Sequence, residues 1–103
     1  MPTIVVYITC KNDAEARNIS TALLKARLVA CTNRFPVSSQ YRWKGKLVND
    51  REVLLIAKTQ AKHYVKIVKL VTKLHSYDVP CIGKFKIAYN KPYAKWLMEE
   101  TRQ

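Results

Sequence analysis

Four side chains in this sequence of 103 residues have the chemistry of metal ligands: Cys31, His75, Asp78 and Cys81. Imidazole and thiolate groups favour thiophilic ions such as copper, and a carboxylate can complete their coordination. The four residues do not have the spacing of a zinc-finger motif, so the pattern alone leaves two interpretations open. In one, His75 and Cys31, from one chain or from neighbouring subunits, bind copper or another divalent cation. In the other, Cys31 is a small buried residue of a strand, and His75 is a cation at a helix C-terminus.

A second candidate site consists of Lys58 and Tyr77. Lys58 ends an apolar run of strand length, and Tyr77 lies two residues after His75. If the fold brings these three side chains together, they would line a cleft that could hold a small anion. In the alternative interpretation, Lys58 extends its ammonium group from the end of the strand into solvent.

The sequence lacks the motifs of the common enzyme classes. It has no nucleophile elbow, and Cys31 and His75 have no identifiable third partner for a catalytic triad. With only 7 Asp and Glu residues, no carboxylate pair suggests hydrolysis of glycosidic bonds. A glycine-rich phosphate loop is also missing. The sequence therefore predicts a protein that is not an enzyme and has no organic cofactor.

The charge of the chain is unusual for its size. It has 19 Lys and Arg residues against 7 Asp and Glu residues, a formal net charge of +12. Four of the lysines line one edge of a predicted helix: Lys62, Lys66, Lys69 and Lys73. This favours weak, sequence-independent binding of nucleic acids or other polyanions at low salt, because phosphate contacts release counterions. The alternative is an ordinary solvated helix face.

Runs of apolar and alternating residues predict the strands. A β-branched and aromatic run predicts the first strand at Thr3–Cys10. Residues 28–35 form a second run, which Pro36 ends or bends. Residues 37–43 then alternate between polar and apolar or aromatic side chains, and Gly45 turns the chain back into a strand over residues 52–58. The last long strand is predicted at residues 81–89.

Three helices connect or follow these strands. Asn12 with Glu15 three residues later is typical of a helix N-cap and predicts the start of the first helix. An apolar stripe predicts the second helix over residues 61–75, with His63 facing solvent. Pro92 opens a C-terminal helix that is expected to bury Trp96 and Leu97. Two successive βαβ units predict an α+β, ferredoxin-like split βαβ sandwich, formed as one domain over residues 1–103 with an extended β-hairpin.

Tyr41 and Trp43 lie on one face of this hairpin. A small core offers few neighbours to cover them, and aromatic side chains are enriched in the cores of protein interfaces. They are therefore candidates for a contact between subunits. The alternative is that the domain's own helices cover them.

Three segments resemble the CutA family of divalent-cation tolerance proteins: Ala30-Cys31-Thr32-Asn33, Tyr41-Arg42-Trp43-Lys44-Gly45 and His75-Ser76-Tyr77-Asp78-Val79-Pro80. The resemblance covers nearly the whole chain. It implies the ferredoxin-like fold, a homotrimer assembled through the hairpin, a role in divalent-cation tolerance, and copper binding through His75 and Cys31. The chain departs from the family pattern at two positions of residues 75–81, the corner that follows the second predicted helix. Ser76 stands where a proline is common in the family, and Cys81 adds a soft donor.

The cysteines and the N-terminus bear on the cellular compartment. Cys10, Cys31 and Cys81 are odd in number and far apart, a pattern of reduced intracellular thiols rather than of a disulfide framework. The first residues do not form a signal peptide, and no apolar run approaches the ~20 residues that cross a bilayer. We therefore expect a cytoplasmic protein without a membrane partner.

Overall fold

The computed structural model describes residues 2–103. Seven strands and α-helices follow one another in this part of the chain: β1 (Thr3–Cys10), α1 (Asp13–Lys25), β2 (Cys31–Trp43), β3 (Lys46–Gln60), α2 (Tyr64–Leu74), β4 (Ile82–Lys86) and α3 (Lys91–Glu100). A short 3-10 helix, Ala61–His63, leads into α2. Within residues 2–103, none of the helices has both the length and the apolar character needed to cross a lipid bilayer.

The four strands form one antiparallel sheet in the order β2-β3-β1-β4. The central position of β1, between β3 and β4, is the arrangement expected from two interleaved βαβ units. The predicted α+β, ferredoxin-like fold is therefore confirmed. The extended hairpin is also present, because β2 and β3 continue beyond the end of β1 at the Cys10–Val53 pair.

Helices α1 and α2 cover one face of the sheet. Alternate residues of β1, from Ile4 to Cys10, are fully or almost fully buried against Ile19, Leu23 and Ile67 of the helices. The opposite face is open over much of its area, since several of its aromatic and apolar residues are exposed: Tyr7, Phe35, Tyr41, Trp43 and Phe85. The sheet thus separates a dry helical core from a second apolar surface.

Strand β2 differs from its predicted form. We expected two strands separated at Pro36, but Cys31–Trp43 is one continuous strand in which Pro36 pairs with Val53. An edge strand tolerates proline because one side of its backbone has no ladder partner that needs an N–H group. The turn itself is a two-residue loop, with both Lys44 (φ 50°) and Gly45 (φ 79°) in the left-handed region that tight hairpins require.

Three predictions about the second half of the chain are wrong. Strand β4 spans only Ile82–Lys86 rather than residues 81–89. Trp96 is 41% exposed, whereas Leu97 is fully buried as predicted. His63 is buried instead of facing solvent, and its Nε2 atom lies 2.8 Å from the carbonyl oxygen of Thr101. The physical reason is that the end of the chain folds back over the start of α2 and covers His63.

The N-cap of α1 is formed as predicted. Asn12 has an extended backbone, and its Oδ1 atom accepts a hydrogen bond of 2.9 Å from the backbone N–H of Glu15. The Glu15 carboxylate in turn accepts a hydrogen bond of 2.8 Å from the backbone N–H of Lys11. These reciprocal bonds satisfy backbone donors that a helix start otherwise leaves free.

We predict that Asn12→Ala lowers the free energy of unfolding by about 1 kcal/mol, because the N-cap acceptor is lost. Urea denaturation followed by circular dichroism measures this change. The matched control is Asn18→Ala, an exposed position inside the same helix, which should be neutral or slightly stabilising. Equal losses in the two variants would contradict a capping role for Asn12.

Candidate metal centre

Three potential metal ligands meet where β1 ends. Cys10 is the last residue of β1, Glu15 lies in the first turn of α1, and His75 directly follows α2. One donor atom from each residue, the Cys10 sulfur, a Glu15 carboxylate oxygen and a His75 ring nitrogen, lies within 4.8 Å of the other two. Cys10 is fully buried, and the side chain of His75 is fully buried as well.

The His75 ring is held in one neutral tautomer. Its Nε2 atom lies 2.8 Å from the carbonyl oxygen of Thr9, so this nitrogen carries the hydrogen and donates it. Its Nδ1 atom accepts a hydrogen bond of 3.1 Å from the backbone N–H of Tyr77. Because Nδ1 acts as an acceptor, the ring is neutral, and its 3.8 Å separation from Glu15 Oε1 is a polar contact rather than an ion pair.

Glu15 is the charged member of the group. Burial acts to raise its pKa, but hydrogen bonds from Lys11 and Ser76 outweigh this effect and hold the pKa of the carboxyl below its ordinary value. One of these bonds joins Glu15 Oε2 to the backbone N–H of Ser76 at 2.9 Å. Glu15 therefore connects the start of α1 to the corner after α2 as a carboxylate at neutral pH.

Cys10 is a protonated thiol in this environment. Burial, reinforced by the charges of Glu15 and Glu52, raises the pKa of Cys10 to about 12. A thiol of this kind is not a reactive nucleophile. It becomes a ligand only when a metal ion displaces its proton, so metal binding at this centre would release a proton.

The dimensions of the group fit a small thiophilic ion after a limited adjustment. Bond lengths of ~2.3 Å to sulfur and ~2.0 Å to nitrogen place the donors of one tetrahedral ion roughly 3.5 Å apart. The separations of up to 4.8 Å would have to shorten by about 1 Å. Sulfur, imidazole nitrogen and carboxylate oxygen together match a borderline ion such as Zn²⁺ or copper better than Mg²⁺ or Ca²⁺.

Only one of the four predicted ligands, His75, belongs to this group. Cys31 starts β2 and pairs with Lys58, which pairs in turn with Val5. His75 contacts Thr9, four residues further along β1, a distance of about 13 Å at the rise of a strand. Cys31 and His75 therefore do not share a site within one chain.

Asp78 and Cys81 lie in a different place from the three clustered donors. Both are exposed, and both line an open cleft of about 410 Å³ between the corner and the hairpin. The aromatic side chains of Tyr41, Trp43 and Tyr77 line the same cleft. The structure thus brings the corner and the aromatic face of the hairpin together, which the sequence did not predict.

The predicted anion cleft is not formed within one chain. The Tyr77 hydroxyl donates a hydrogen bond of 2.6 Å to Glu52, and burial together with this carboxylate raises the pKa of Tyr77. Lys58 lies six residues from Glu52 on β3, about 20 Å away along the strand. There its Nζ atom lies 5.6 Å from the centre of the Tyr93 ring.

Comparison with known proteins agrees with this architecture. The family model of the CutA1 divalent ion tolerance protein matches residues 4–100. The chain belongs to the CutA1 family. The resemblance found in the sequence is thereby confirmed, and the comparisons do not support a nucleic-acid-binding family as the alternative.

CutA relatives match this chain over most of its length. The divalent-cation tolerance protein CutA of Thermus thermophilus is 43% identical over 99 residues, which cover 94% of this chain and 96% of that protein. The solved structure of the periplasmic divalent cation tolerance protein CutA from Archaeoglobus fulgidus superposes with a TM-score of 0.95 at 33% identity, covering 97% of this chain and 99% of that one. The structure of CutA1 from Oryza sativa also gives a TM-score of 0.95, at 34% identity, covering 100% of this chain and 96% of that one.

Sequence reasoning missed Cys10 and Glu15 as members of the candidate centre. Glu15 was recognised only for its capping role, and Cys10 only as one of three reduced thiols. Sixty residues separate Glu15 from His75, so no local spacing relates them. The sequence offered only an indirect indication that these residues meet. A cysteine at the end of a central strand and an acid in the first turn of the following helix lie at the same edge of the sheet.

We predict that Glu15→Gln lowers the free energy of unfolding by about 1–3 kcal/mol at pH 7, because charged hydrogen bonds to two backbone N–H groups are weakened. The pKa of Glu15 is lower in the folded state than its ordinary value of 4.5. Its stabilisation is therefore complete above that value and is lost as the pH falls through the folded pKa.

Urea denaturation of both proteins between pH 7 and about pH 3 measures this effect. The difference between wild type and Glu15→Gln should shrink as the pH falls. Glu100→Gln, at an exposed acid near the end of α3, serves as the control and should leave the pH profile unchanged. A difference that stays constant down to acid pH would show that the charge of Glu15 does not stabilise the fold.

Proposed function

We propose that this CutA1-family protein acts in divalent-cation tolerance by binding copper or another thiophilic divalent ion at Cys10, Glu15 and His75. The observation that carries the proposal is the convergence of sulfur, oxygen and nitrogen donors from three separate elements within 4.8 Å. The donors are largely buried, and burial strengthens a metal–ligand charge interaction because water is excluded. His75 keeps its predicted role, and Cys10 takes the place of Cys31 within one chain.

Metal binding would have a structural consequence for the corner after α2. The Nε2 atom now donates to Thr9, and it can coordinate an ion only if the ring hydrogen moves to Nδ1. Nδ1 would then be a donor and could no longer accept the hydrogen bond from Tyr77 N–H. The peptide between Ser76 and Tyr77 would have to move, which links the metal centre to the aromatic cleft.

We predict that His75→Ala and Cys10→Ser each weaken metal binding by at least tenfold, since even the loss of an outer partner of a metal site costs ~10–100-fold. Isothermal titration of the reduced protein with Zn²⁺ under anaerobic conditions avoids copper-driven oxidation of the thiols. Co²⁺ provides a second readout, because thiolate coordination gives it a near-ultraviolet charge-transfer band. This band should disappear in Cys10→Ser.

The controls are Cys31→Ser and Cys81→Ser, which remove the two cysteines that lie outside the three-residue group. Both variants should bind metal like the wild type if the site is built within one chain. A loss in both Cys31→Ser and His75→Ala, with full binding in Cys10→Ser, would assign the site to His75 and Cys31 from neighbouring subunits, as the family resemblance implied. Full binding in His75→Ala would remove the proposed centre.

The same proposal includes a homotrimer. Its support is the open face of the sheet, where Phe35 (43%), Trp43 (44%) and Phe85 (52%) are exposed. A monomer rarely leaves so many large apolar side chains on one surface, and the long edge strand β2 also has an unpaired backbone side. A second and third copy of the chain would cover both features.

We predict that the wild-type protein has three times the 11.9 kDa mass of the chain in solution and that a Trp43→Glu, Tyr41→Glu double variant shifts towards smaller species. A buried carboxylate at an apolar interface loses its hydration without gaining a partner. Light scattering coupled to size exclusion at micromolar concentration measures the mass. Val65→Glu on α2, which is 64% exposed, should not change it. A monomeric wild type would exclude the trimer.

Two further parts of the proposal are that the protein is not an enzyme and that it is cytoplasmic. The Cys10 thiol is protonated and buried, which is unsuited to nucleophilic catalysis. All three cysteines are free, as expected in a reducing compartment. Because the Archaeoglobus fulgidus relative is named periplasmic, cell fractionation is the direct test, and recovery outside the cytoplasm would overturn the location.

A further inference from the structure

The 3-10 helix and the outer surface of α2 together carry a stripe of four lysines that the proposed metal function does not use. Lys62, Lys66, Lys69 and Lys73 are all exposed. At ~100° per residue, the three lysines of α2 fall within a sector of about 60° around the helix, and Lys62 precedes them in the 3-10 helix. At a rise of ~1.5 Å per residue, the four lysines span about 16 Å along its axis. The stripe is therefore a narrow, linear array of positive charge.

Among the described residues, no acid forms an ion pair with this lysine stripe. Helix α2 contains no Asp or Glu. In the described part of the chain, residues 2–103, the ion pair joins Arg34 to Asp13, and the acid contact of His75 is with Glu15, so neither involves the stripe. Within residues 2–103, the side-chain hydrogen bond of the stripe joins Lys66 Nζ to Oε1 of Gln103 at 3.0 Å, a neutral partner.

Further positive charge lies beside the stripe, on the flank of α2 that faces the end of α1. Gln103, which binds Lys66, also donates to the carbonyl oxygen of Ala26 at the C-terminus of α1. Lys25 and Arg27 are exposed at this end of α1. The acids Asp50, Glu52 and Asp78 lie elsewhere, on the hairpin and its cleft. The acids on this flank are Glu99 and Glu100, exposed at the end of α3, where the Glu99 carbonyl oxygen accepts a hydrogen bond of 3.2 Å from Arg27.

Two apolar side chains of α2, Val65 (64% exposed) and Leu74 (44% exposed), reach the surface, but they lie nine residues apart and do not form a continuous apolar face. Ile67 and Val71 are fully buried in the core beneath the helix. A helix that binds a membrane surface inserts its apolar face between the lipids, which α2 cannot do without unfolding the domain. A linear array of cations with two separate exposed apolar side chains, rather than a continuous apolar face, instead matches a linear array of phosphates.

We propose that the lysine stripe is a binding surface for the phosphate backbone of nucleic acids, independent of the metal centre. Duplex DNA carries one charge per ~1.7 Å of its axis, so ~16 Å of duplex offers enough phosphates for all four lysines. The stripe has no element that reaches base edges, and binding is therefore independent of sequence. The open apolar face of the sheet, on the other side of the molecule, leaves the stripe accessible in an oligomer.

The salt dependence of binding gives a quantitative test. Four phosphate contacts predict a slope of about −3.6 in a plot of log affinity against log salt, equivalent to roughly a 100-fold loss between ~50 and ~200 mM salt. Lys66→Gln with Lys69→Gln removes two contacts and should reduce the slope by about 2. Fluorescence anisotropy with a labelled duplex of scrambled sequence measures both quantities.

The matched control is Lys44→Gln with Lys46→Gln, which removes the same charge from the exposed tip of the hairpin. The stripe variant should lose at least tenfold in affinity at low salt, and the hairpin variant should lose much less and keep the slope. Equal losses in the two variants would show that net charge alone drives binding and would overturn the proposal. Tighter binding to phosphatidylcholine vesicles containing phosphatidylserine than to the duplex would assign the surface to membranes instead.

Discussion

The structure depends above all on the pairing of β1 with strands on both sides. β1 pairs with β3 from Thr3 to Cys10 and with β4 from Ile4 to Ile8, so its backbone groups are satisfied along both edges. The same strand supplies four alternate side chains, from Ile4 to Cys10, to the core under α1 and α2. A slip of one residue would turn this apolar set to the opposite face and expose it.

The candidate metal centre is a consequence of where β1 ends. Its last two residues provide the Cys10 thiol and the Thr9 carbonyl oxygen that receives the His75 hydrogen. Because α1 begins and α2 ends at this edge of the sheet, Glu15 and His75 arrive at the same point. Hydrogen bonds to the backbone of Lys11, Ser76 and Tyr77 then hold both side chains in place. Glu15 and His75 are thus held by hydrogen bonds, and an ion would have to compete with bonds that already stabilise the fold.

The two surfaces of the molecule have opposite characters. The open face of the sheet presents aromatic side chains and a long edge strand, whereas the helical layer presents the lysine stripe, which forms no ion pair with an acid within residues 2–103. An apolar surface favours association with another apolar surface, and an uncompensated positive surface favours polyanions. Self-association and polyanion binding can therefore use different sides of the same small domain without competing for residues.

The sequence by itself determined the features that depend on local patterns. Hydrophobic periodicity identified most strands and the three helices, Asn12 with Glu15 marked the start of α1, and the three family segments identified the CutA1 family. Local patterns also failed at particular residues: Pro36 lies inside a continuous strand, His63 is buried under the chain end, and Trp96 is exposed. In each case the outcome depends on which distant segment covers the residue, and periodicity carries no such information. The same limit applies to the candidate site.

Only the tertiary structure decided which potential ligands meet. Cys31 and Cys81 have the same chemistry as Cys10, and nothing in the local sequence distinguishes the three thiols as ligands for His75. Cys10 lies beside His75 because of the lengths of α1 and α2. Cys31 lies about four strand residues away because of the register of β1 with β3 and of β3 with β2. Side-chain chemistry is a property of single residues, but a coordination site is a property of distances between them. Those distances are determined by strand register and helix packing over the whole chain.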